Sequence, residues 1–162
     1  METLFVERTT EIRREKELLE KELGVKISLQ SNKVTIEGPA LKEYEARMIL
    51  EATGFGFSAK IALMLKDDNF IFRIIKIKQV TRKTNMENIR SRLIGTFGKT
   101  KKTIEAIADC KIVIRDNSIG IIGAAEEIEE ATTAINNLIR GSKQANVYKF
   151  LEKMNRARKN LN

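Results

Sequence analysis

Two glycines three residues apart, Gly95 and Gly98, interrupt a basic stretch that otherwise has helical spacing. Apolar residues recur at helical intervals on both sides, which predicts one helix ending at Gly95 and another beginning after Gly98. Glycine lets a backbone turn sharply and lets another chain come close to it. The start of the second helix adds unpaired amide groups and the positive end of a helix dipole. Such a turn attracts anions, above all phosphate.

Positive side chains follow this turn. They are Lys99, Lys101 and Lys102, whereas the inner positions of the turn hold the uncharged Thr96 and Phe97. Taken alone, a GxxG pattern is common, and a simple joint between two helices is the default interpretation. The choice between a phosphate-binding turn and a joint therefore depends on the rest of the chain.

The composition excludes most catalytic chemistry. The chain has 162 residues, no histidine and one cysteine, so neither a histidine-dependent triad nor an internal disulfide can form. Carboxylates such as Asp67, Asp68 and Asp116 fall at predicted turns, without the apolar surroundings that shift a pKa. We therefore expect no enzyme activity, no metal site and no cofactor. Without a signal-peptide pattern or a run of about 18 apolar residues, we also expect a cytoplasmic protein that does not bind membranes.

The net charge of +8 is unevenly distributed. Residues 1–69 carry a net charge of −2 and residues 70–162 carry +10, so the glycine pair lies in the basic part. A one-sided excess of this size favours a polyanionic partner. Nucleic acid is favoured over a membrane, because the basic residues do not lie opposite a broad apolar helical face.

The chain contains an internal repeat with an offset of 85 residues. Without a gap, residues 24–38 align with residues 109–123. Each copy predicts a helix, a short strand, a tight polar turn, a second strand and a longer helix, with the turns at residues 31–32 and 116–117. Residues 70–78 are rich in β-formers and predict a further strand ahead of the second copy.

The second copy resembles a type I KH domain. Its predicted order is strand, helix, GxxG turn, helix, strand, strand and helix, and Ile94-Gly-Thr-Phe-Gly-Lys99 is similar to the KH signature Ile-Gly-x-x-Gly-Lys. The resemblance covers about residues 70–141. It implies that the turn clamps the backbone of about four nucleotides of single-stranded RNA.

The first copy lacks this turn. Residues 10–13, which align with the glycine turn, read Thr-Glu-Ile-Arg. We expect one continuous helix here, capped at Thr9 or Thr10 and running to about Leu23. A continuous helix offers no phosphate turn, so we interpret this copy as a degenerate module that braces its neighbour or binds protein.

The predicted fold is α+β, with two tandem type I KH-like modules in which helices pack on three-stranded sheets. The degenerate module covers residues 1–68, and the KH domain covers residues 69–162 and includes a C-terminal helix. That last helix either extends the RNA surface or is a solvated terminal helix. Its predicted basic side consists of Lys149, Lys153, Arg156, Arg158 and Lys159.

Over nearly its whole length, the chain is similar to the archaeal members of the partner-of-Nob family, which are small-subunit ribosome assembly factors. The similarity rests on four features: the first copy lacks the GxxG turn, the second copy has it, the two copies are joined through the bend Gly54-Phe-Gly-Phe-Ser58, and the chain ends with a segment that includes Val147-Tyr-Lys-Phe-Leu151. It implies binding to the 3′ region of small-subunit ribosomal RNA, contact with the Nob endonuclease, and contact with the alpha subunit of archaeal initiation factor two. Family members commonly carry a basic residue inside the turn, where this chain has Thr96 and Phe97.

The predicted RNA site combines the turn with a groove beside it. One wall of the groove is the helix pair, and the other is the strand at residues 111–115 with its turn. Phosphate contacts position the RNA and base edges select it. The predicted RNA-binding residues are Arg90, Arg92, Ile94, Gly95, Thr96, Phe97, Gly98, Lys99, Lys101, Lys102, Lys111 and Arg115.

Two other functions are compatible with the sequence. A protein-interaction scaffold with a vestigial GxxG predicts partner binding that is insensitive to salt, whereas phosphate recognition weakens steeply with salt. The second alternative is a KH-containing transcription elongation factor, although such factors usually have the KH topology in which strands precede the helix pair.

Three further residues have expected roles outside the RNA site. Phe55 and Phe57 either plug a domain junction or stack on bases. Cys110 is expected to be a buried apolar residue.

Overall fold

The computed structural model describes residues 1–161 and divides the chain into two compact units. The first unit is Met1–Phe72, and the second begins at Arg73. Each is built on a three-stranded sheet packed by helices, so the predicted α+β class with two such modules is confirmed. The domain limits expected from the sequence, residues 1–68 and 69–162, stay a prediction.

The first unit has the order strand, helix, helix, strand, strand, helix. Its elements are β1 (Glu2–Phe5), α1 (Thr10–Arg14), α2 (Lys16–Leu23), β2 (Lys26–Gln30), β3 (Lys33–Glu37), α3 (Ala40–Phe55) and α4 (Ala59–Ala62), followed by a 3₁₀ turn at Leu63–Lys66. The sheet is antiparallel in the order β1-β3-β2, and its hairpin turns at residues 31–32 as predicted. Val34 and Ile36 alternate along β3 and are fully buried.

The helix predicted from Thr9 or Thr10 ends at Leu23 as expected, but the prediction that it is continuous is wrong. The chain breaks at Glu15 (φ −107°, ψ 20°), which separates α1 from α2. Backbone hydrogen bonds nevertheless continue through the break, because the Glu15 N–H donates to the Glu11 carbonyl and the Leu19 N–H donates to the Glu15 carbonyl. The first unit therefore has a kinked helix pair at this place, in which the amides of Glu15 and Leu19 are already hydrogen-bonded.

The second unit repeats this order and adds a C-terminal helix. Its sheet begins with β4 (Phe70–Lys76), whose first three residues, up to Phe72, still belong to the first unit. The elements that follow are α5 (Ile77–Val80), α6 (Met86–Ile94), a 3₁₀ turn (Thr96–Gly98), α7 (Lys99–Ala108), β5 (Lys111–Arg115), β6 (Ser118–Ala124), α8 (Ala125–Arg140) and α9 (Gln144–Leu161). The sheet order is β4-β6-β5, and the antiparallel hairpin of β5 and β6 turns at residues 116–117 as predicted. The strand predicted over residues 70–78 ends earlier, at Lys76, where the short α5 begins.

The same side-chain hydrogen bond occurs once within each unit, at positions 85 residues apart. The Glu20 carboxylate accepts a hydrogen bond of 2.8 Å from the Ile27 N–H, and the Glu105 carboxylate accepts one of 2.9 Å from the Ile112 N–H. In both units a helix carboxylate thus holds the first strand of the hairpin. This repeated contact supports the internal repeat independently of the sequence alignment.

The C-terminal part of the second unit packs on its helices. The apolar face of α8 (Ile128, Ala131, Ile135 and Leu138) is buried as predicted. The following helix, α9, packs on α7 and α8 through the buried Val147 and Leu151. Although α9 has 18 residues, neither it nor another helix among residues 1–161 is long and apolar enough to span a bilayer.

Candidate nucleic-acid interface

The glycine turn (residues 95–98) joins α6 to α7 as the sequence predicts. Helix α6 ends at Ile94, and Gly95 then leaves the helical conformation with φ 76° and ψ 172°. Gly98 adopts the left-handed conformation with φ 74°, and α7 begins at the next residue. Two backbone hydrogen bonds fix the shape, from the Gly95 N–H to the Ser91 carbonyl (2.8 Å) and from the Gly98 N–H to the Gly95 carbonyl (3.1 Å).

The two glycines of the turn have different surroundings. A Cβ atom at Gly95 would overlap Thr100, whose backbone nitrogen would lie 2.6 Å from it. At Gly98 a Cβ atom would meet only the Lys102 side chain, at 3.9 Å. Gly95 is therefore required for packing within the turn, whereas Gly98 leaves an open approach to the backbone from outside.

The start of α7 is suited to an anion. No side chain among residues 1–161 caps this helix, and its first turn contains no acidic residue. Lys99 and Lys102 are exposed beside it. Because helix N-terminal amides and the helix dipole both favour negative charge, this end of α7 has the hydrogen-bonding groups and the charge that a phosphate group needs.

Phe97 lies at the tip of the glycine turn with 96% of its surface exposed. Its backbone is left-handed (φ 54°, ψ 29°), a conformation that costs a non-glycine residue about 1 kcal/mol. Thr96 beside it is also exposed, and Ile94 is 39% exposed at the end of α6. The turn therefore presents an uncharged tip that carries one aromatic ring.

The two predicted arginines of α6 are held by the fold. The Arg90 guanidinium donates to the Asn117 side-chain oxygen (2.5 Å), which ties α6 to the β5–β6 turn. The Arg92 guanidinium donates to the carbonyl of Leu138 in the last turn of α8 (2.7 Å) and to that of Ser142 just after the helix (2.6 Å). Both side chains thus have structural partners, and their contact with RNA stays a prediction.

The remaining predicted residues lie on α7 and at the two ends of β5, and their contact with RNA stays a prediction. Lys111 is exposed on β5, Arg115 is half-buried at its end, and Lys101 forms an ion pair of 3.4 Å with Glu105. A small apolar pocket of about 10 Å³, lined mostly by buried residues, lies between the helices and the sheet. Its lining residues are Leu93, Lys101, Ile104, Ile112, Ile114, Ile119 and Ile135.

A larger cleft lies on the α9 side of the glycine turn, where the sequence predicted no site. Its volume is about 460 Å³. The turn and the first residues of α7 form one side, α6 contributes Ser91 and Arg92, and α9 contributes Gln144 and Tyr148. No local sequence signal marks this cleft, because it depends on how α9 packs on residues about fifty positions earlier.

Arg158, which was predicted on the basic side of α9, packs against α8 instead. Arg158 is 13% exposed, and its guanidinium donates to Glu130 (2.8 Å) and Glu127 (2.9 Å) of α8. The prediction that Arg158 belongs to the basic surface is therefore wrong, because these acidic residues pair with it. The exposed cations of α9 are Lys149, Lys153, Arg156 and Lys159.

The single cysteine and the bend phenylalanines are structural. Cys110 is buried as predicted, and burial raises the pKa of its thiol to about 12, with the Glu105 and Asp109 charges adding to the effect. Phe57 is 1% exposed and forms an aromatic cluster with Phe55 and Phe72 of the same unit. Phe57 therefore has no ring face available for a base.

A family model described as the eukaryotic type KH domain (KH-domain type I), for the second KH domain of PNO1 proteins, matches residues 71–156. The chain belongs to the PNO1 family of KH-domain proteins. The predicted membership in the partner-of-Nob family is therefore confirmed. The PNO1 match includes the glycine turn, the groove and most of α9.

Three proteins illustrate the PNO1 relationship. A KH domain-containing protein of Methanocaldococcus jannaschii is 35% identical over 145 residues, which cover 85% of this chain and 64% of the relative. The pre-rRNA-processing protein pno1 of Emericella nidulans is 31% identical over 131 residues, 79% of this chain and 50% of the relative. The chain thus spans half to two thirds of the length of these relatives.

The third similar protein is a chain in the crystal structure of the a/eIF2alpha-aDim2p-rRNA complex from Pyrococcus horikoshii. It superposes with a TM-score of 0.85 at 28% identity, over 96% of this chain and 94% of that chain. The fold of both units is therefore similar to that of a solved archaeal structure.

Proposed function

We propose that the second unit binds the backbone of single-stranded RNA at its glycine turn. The observation that carries this proposal is the open approach at Gly98, next to the start of α7, which has neither a side-chain cap nor an acidic residue in its first turn. Backbone amides there hydrogen-bond a phosphate oxygen, and Lys99 and Lys102 add positive charge.

The bases then lie in the groove between the helix pair and β5. In this proposal the half-buried Ile114 of β5 offers apolar surface to a base, and Lys111 and Arg115 at the two ends of that strand add positive charge. Phe97 offers its exposed ring to a further base by stacking, a contact worth about 1–3 kcal/mol per base. In this arrangement phosphate contacts position the strand, and the groove reads its bases.

The relatives support ribosomal RNA as the ligand. The similar archaeal protein was crystallised with rRNA and eIF2alpha, and the similar fungal protein is named for pre-rRNA processing. We infer that this chain acts in small-subunit assembly as a binding protein rather than an enzyme. Its specific partners in this proposal are the 3′ region of small-subunit ribosomal RNA, the Nob endonuclease and the alpha subunit of archaeal initiation factor two.

A protein-binding role for the first unit is the second candidate function. Helix α3 exposes Leu41 (86%) and Tyr44 (68%), and Met48 lies on the same helical face one turn further. Exposed apolar residues in a row are typical of protein-contact surfaces. The third candidate, a transcription elongation factor, is disfavoured because the order strand, helix, helix, strand, strand, helix is the type I order.

Binding to a fluorescent oligoribonucleotide tests the proposal. The probe carries the 3′-terminal sequence of small-subunit ribosomal RNA, and the same sequence in duplex form is the control. We expect tight binding to the single strand alone, with log affinity falling by about 0.7 for each neutralised phosphate per decade of salt. Salt-insensitive binding, or equal binding to the duplex, would contradict the phosphate clamp.

A further inference from the structure

The cleft on the α9 side of the glycine turn has the chemistry of a nucleotide site. Its volume of about 460 Å³ falls in the range of about 300–1,000 Å³ that is common for small-molecule sites. It adjoins the turn directly, since Gly95 and Thr96 line it. A nucleotide next to a phosphate held at the turn is therefore within reach of this cleft.

The lining of this cleft combines three kinds of group. Lys99 supplies an exposed positive charge, Ser91 and Gln144 supply hydroxyl and amide groups, and Tyr148 supplies an aromatic ring. Within the part of the chain that the structure describes, this lining contains no carboxylate. A cation for a phosphate, hydrogen-bonding groups for ribose and base edges, and a ring for base stacking are together the contacts that single-stranded RNA requires.

A second surface cavity is also lined by basic residues but lacks the other groups of the α9-side cleft. The cavity beside α5 and the start of α6 has a volume of about 540 Å³, and its lining includes Lys78, Arg82 and Lys83. It contains no aromatic side chain and does not include the glycine turn. One of its cations is also engaged, because the Lys83 ammonium donates to the Arg140 carbonyl. Charge alone does not make that cavity a nucleotide site.

We propose that the α9-side cleft holds one nucleotide of the bound RNA, next to the nucleotides at the glycine turn, and that its base stacks on Tyr148. This proposal rests on the function proposed above. It assigns α9 a direct role in RNA binding, and it extends the RNA footprint beyond the roughly four nucleotides that a KH groove clamps.

The test measures the affinity of the full chain for random-sequence single-stranded oligoribonucleotides of four, six and eight nucleotides. For the unaltered chain we expect a clear gain in affinity between four and six nucleotides. Tyr148→Ala should reduce six-nucleotide binding at least about fivefold and leave four-nucleotide binding within about twofold. Tyr148→Phe keeps the ring and should retain the gain, which separates stacking from a loss of folding.

A second pair of variants tests the cleft without touching Tyr148. Ser91→Glu places a negative charge at the cleft wall, and Ser91→Gln is the neutral control of similar size. We expect Ser91→Glu to remove the gain from four to six nucleotides and Ser91→Gln to keep it.

The outcomes separate the two proposals. If Tyr148→Ala and Ser91→Glu bind six nucleotides as tightly as the unaltered chain, or lose four- and six-nucleotide binding equally, the cleft proposal is overturned while the phosphate clamp stands. If the unaltered chain binds none of the oligonucleotides, the clamp itself fails, and the cleft proposal fails with it.

Discussion

Thr100 packs directly against the Cα atom of Gly95, so closely that a side chain at residue 95 would overlap it. The first turn of α7 is thereby fixed against the end of α6. Gly98, three residues later, has no such neighbour. The turn thus contains one glycine that holds its shape and one that leaves its backbone accessible.

This difference predicts unequal costs for the same substitution. Gly95→Ala should lower the free energy of unfolding by about 2–4 kcal/mol, because it adds steric overlap to a backbone conformation nearly restricted to glycine. Gly98→Ala should cost about 1 kcal/mol, the strain of a left-handed alanine. Urea unfolding of both variants measures the costs, and equal losses would contradict the packing described here.

The cations near the turn should divide into two classes. Lys99→Ala and Lys102→Ala should each weaken RNA binding uniformly across sequences and reduce the salt slope by about one, with little change in melting temperature, because both side chains are exposed.

Arg92→Ala should mainly lower stability, by about 1–3 kcal/mol, because it leaves the Leu138 and Ser142 carbonyls without their charged donor. Anisotropy titrations at several salt concentrations, paired with thermal unfolding, separate the two classes. An Arg92→Ala variant of unchanged stability would argue against its structural role.

The sequence predicted the elements that depend on local signals. Gly95 and Gly98 marked the ends of two helices, and alternating apolar residues marked the hairpins and their turns. The burial of Cys110 followed from its position in a strand pattern. In each case neighbouring residues carry enough information, because the relevant period or turn spans only a few positions.

The features that the sequence did not predict depend on distant partners or on subtle backbone geometry. In the sequence, Arg92 and Arg158 resemble other surface arginines, because their partners, Leu138 and Glu130 of α8, are distant along the chain. The helix break at Glu15 could not be predicted, because no glycine or proline lies at this position. The cleft beside Tyr148 exists only because α9 packs on α7 and α8.

The ion-pair cluster of Arg158 should stabilise the second unit. Arg158→Ala removes the donor that Glu127 and Glu130 share, and leaving two largely buried carboxylates without it should cost about 3 kcal/mol. Arg156→Ala is the matched control, because Arg156 is exposed on the same helix and its loss should change stability by less than about 0.5 kcal/mol. Urea unfolding compares the two, and similar costs would contradict the assignment.

Cys110 should react with thiol reagents only when the chain opens. Its raised pKa, about 12, keeps the buried thiol protonated at pH 8, so labelling of the folded chain should be on the order of a thousandfold slower than in urea. As the only cysteine of the chain, it gives an unambiguous signal with a chromogenic disulfide reagent. Rapid labelling of the folded chain would show that Cys110 is accessible.

The central claim is that the backbone amides at the start of α7, beside Gly98, bind a phosphate, and comparing Gly98→Asp with Gly98→Asn tests it most directly. Both residues tolerate the left-handed conformation and have the same shape, so the two variants differ essentially in charge. The measurement is the affinity of each for the single-stranded 3′ rRNA probe at fixed salt. We expect Gly98→Asp to bind at least about tenfold more weakly than Gly98→Asn, because a carboxylate repels the phosphate. Equal affinities of the two variants would contradict the clamp.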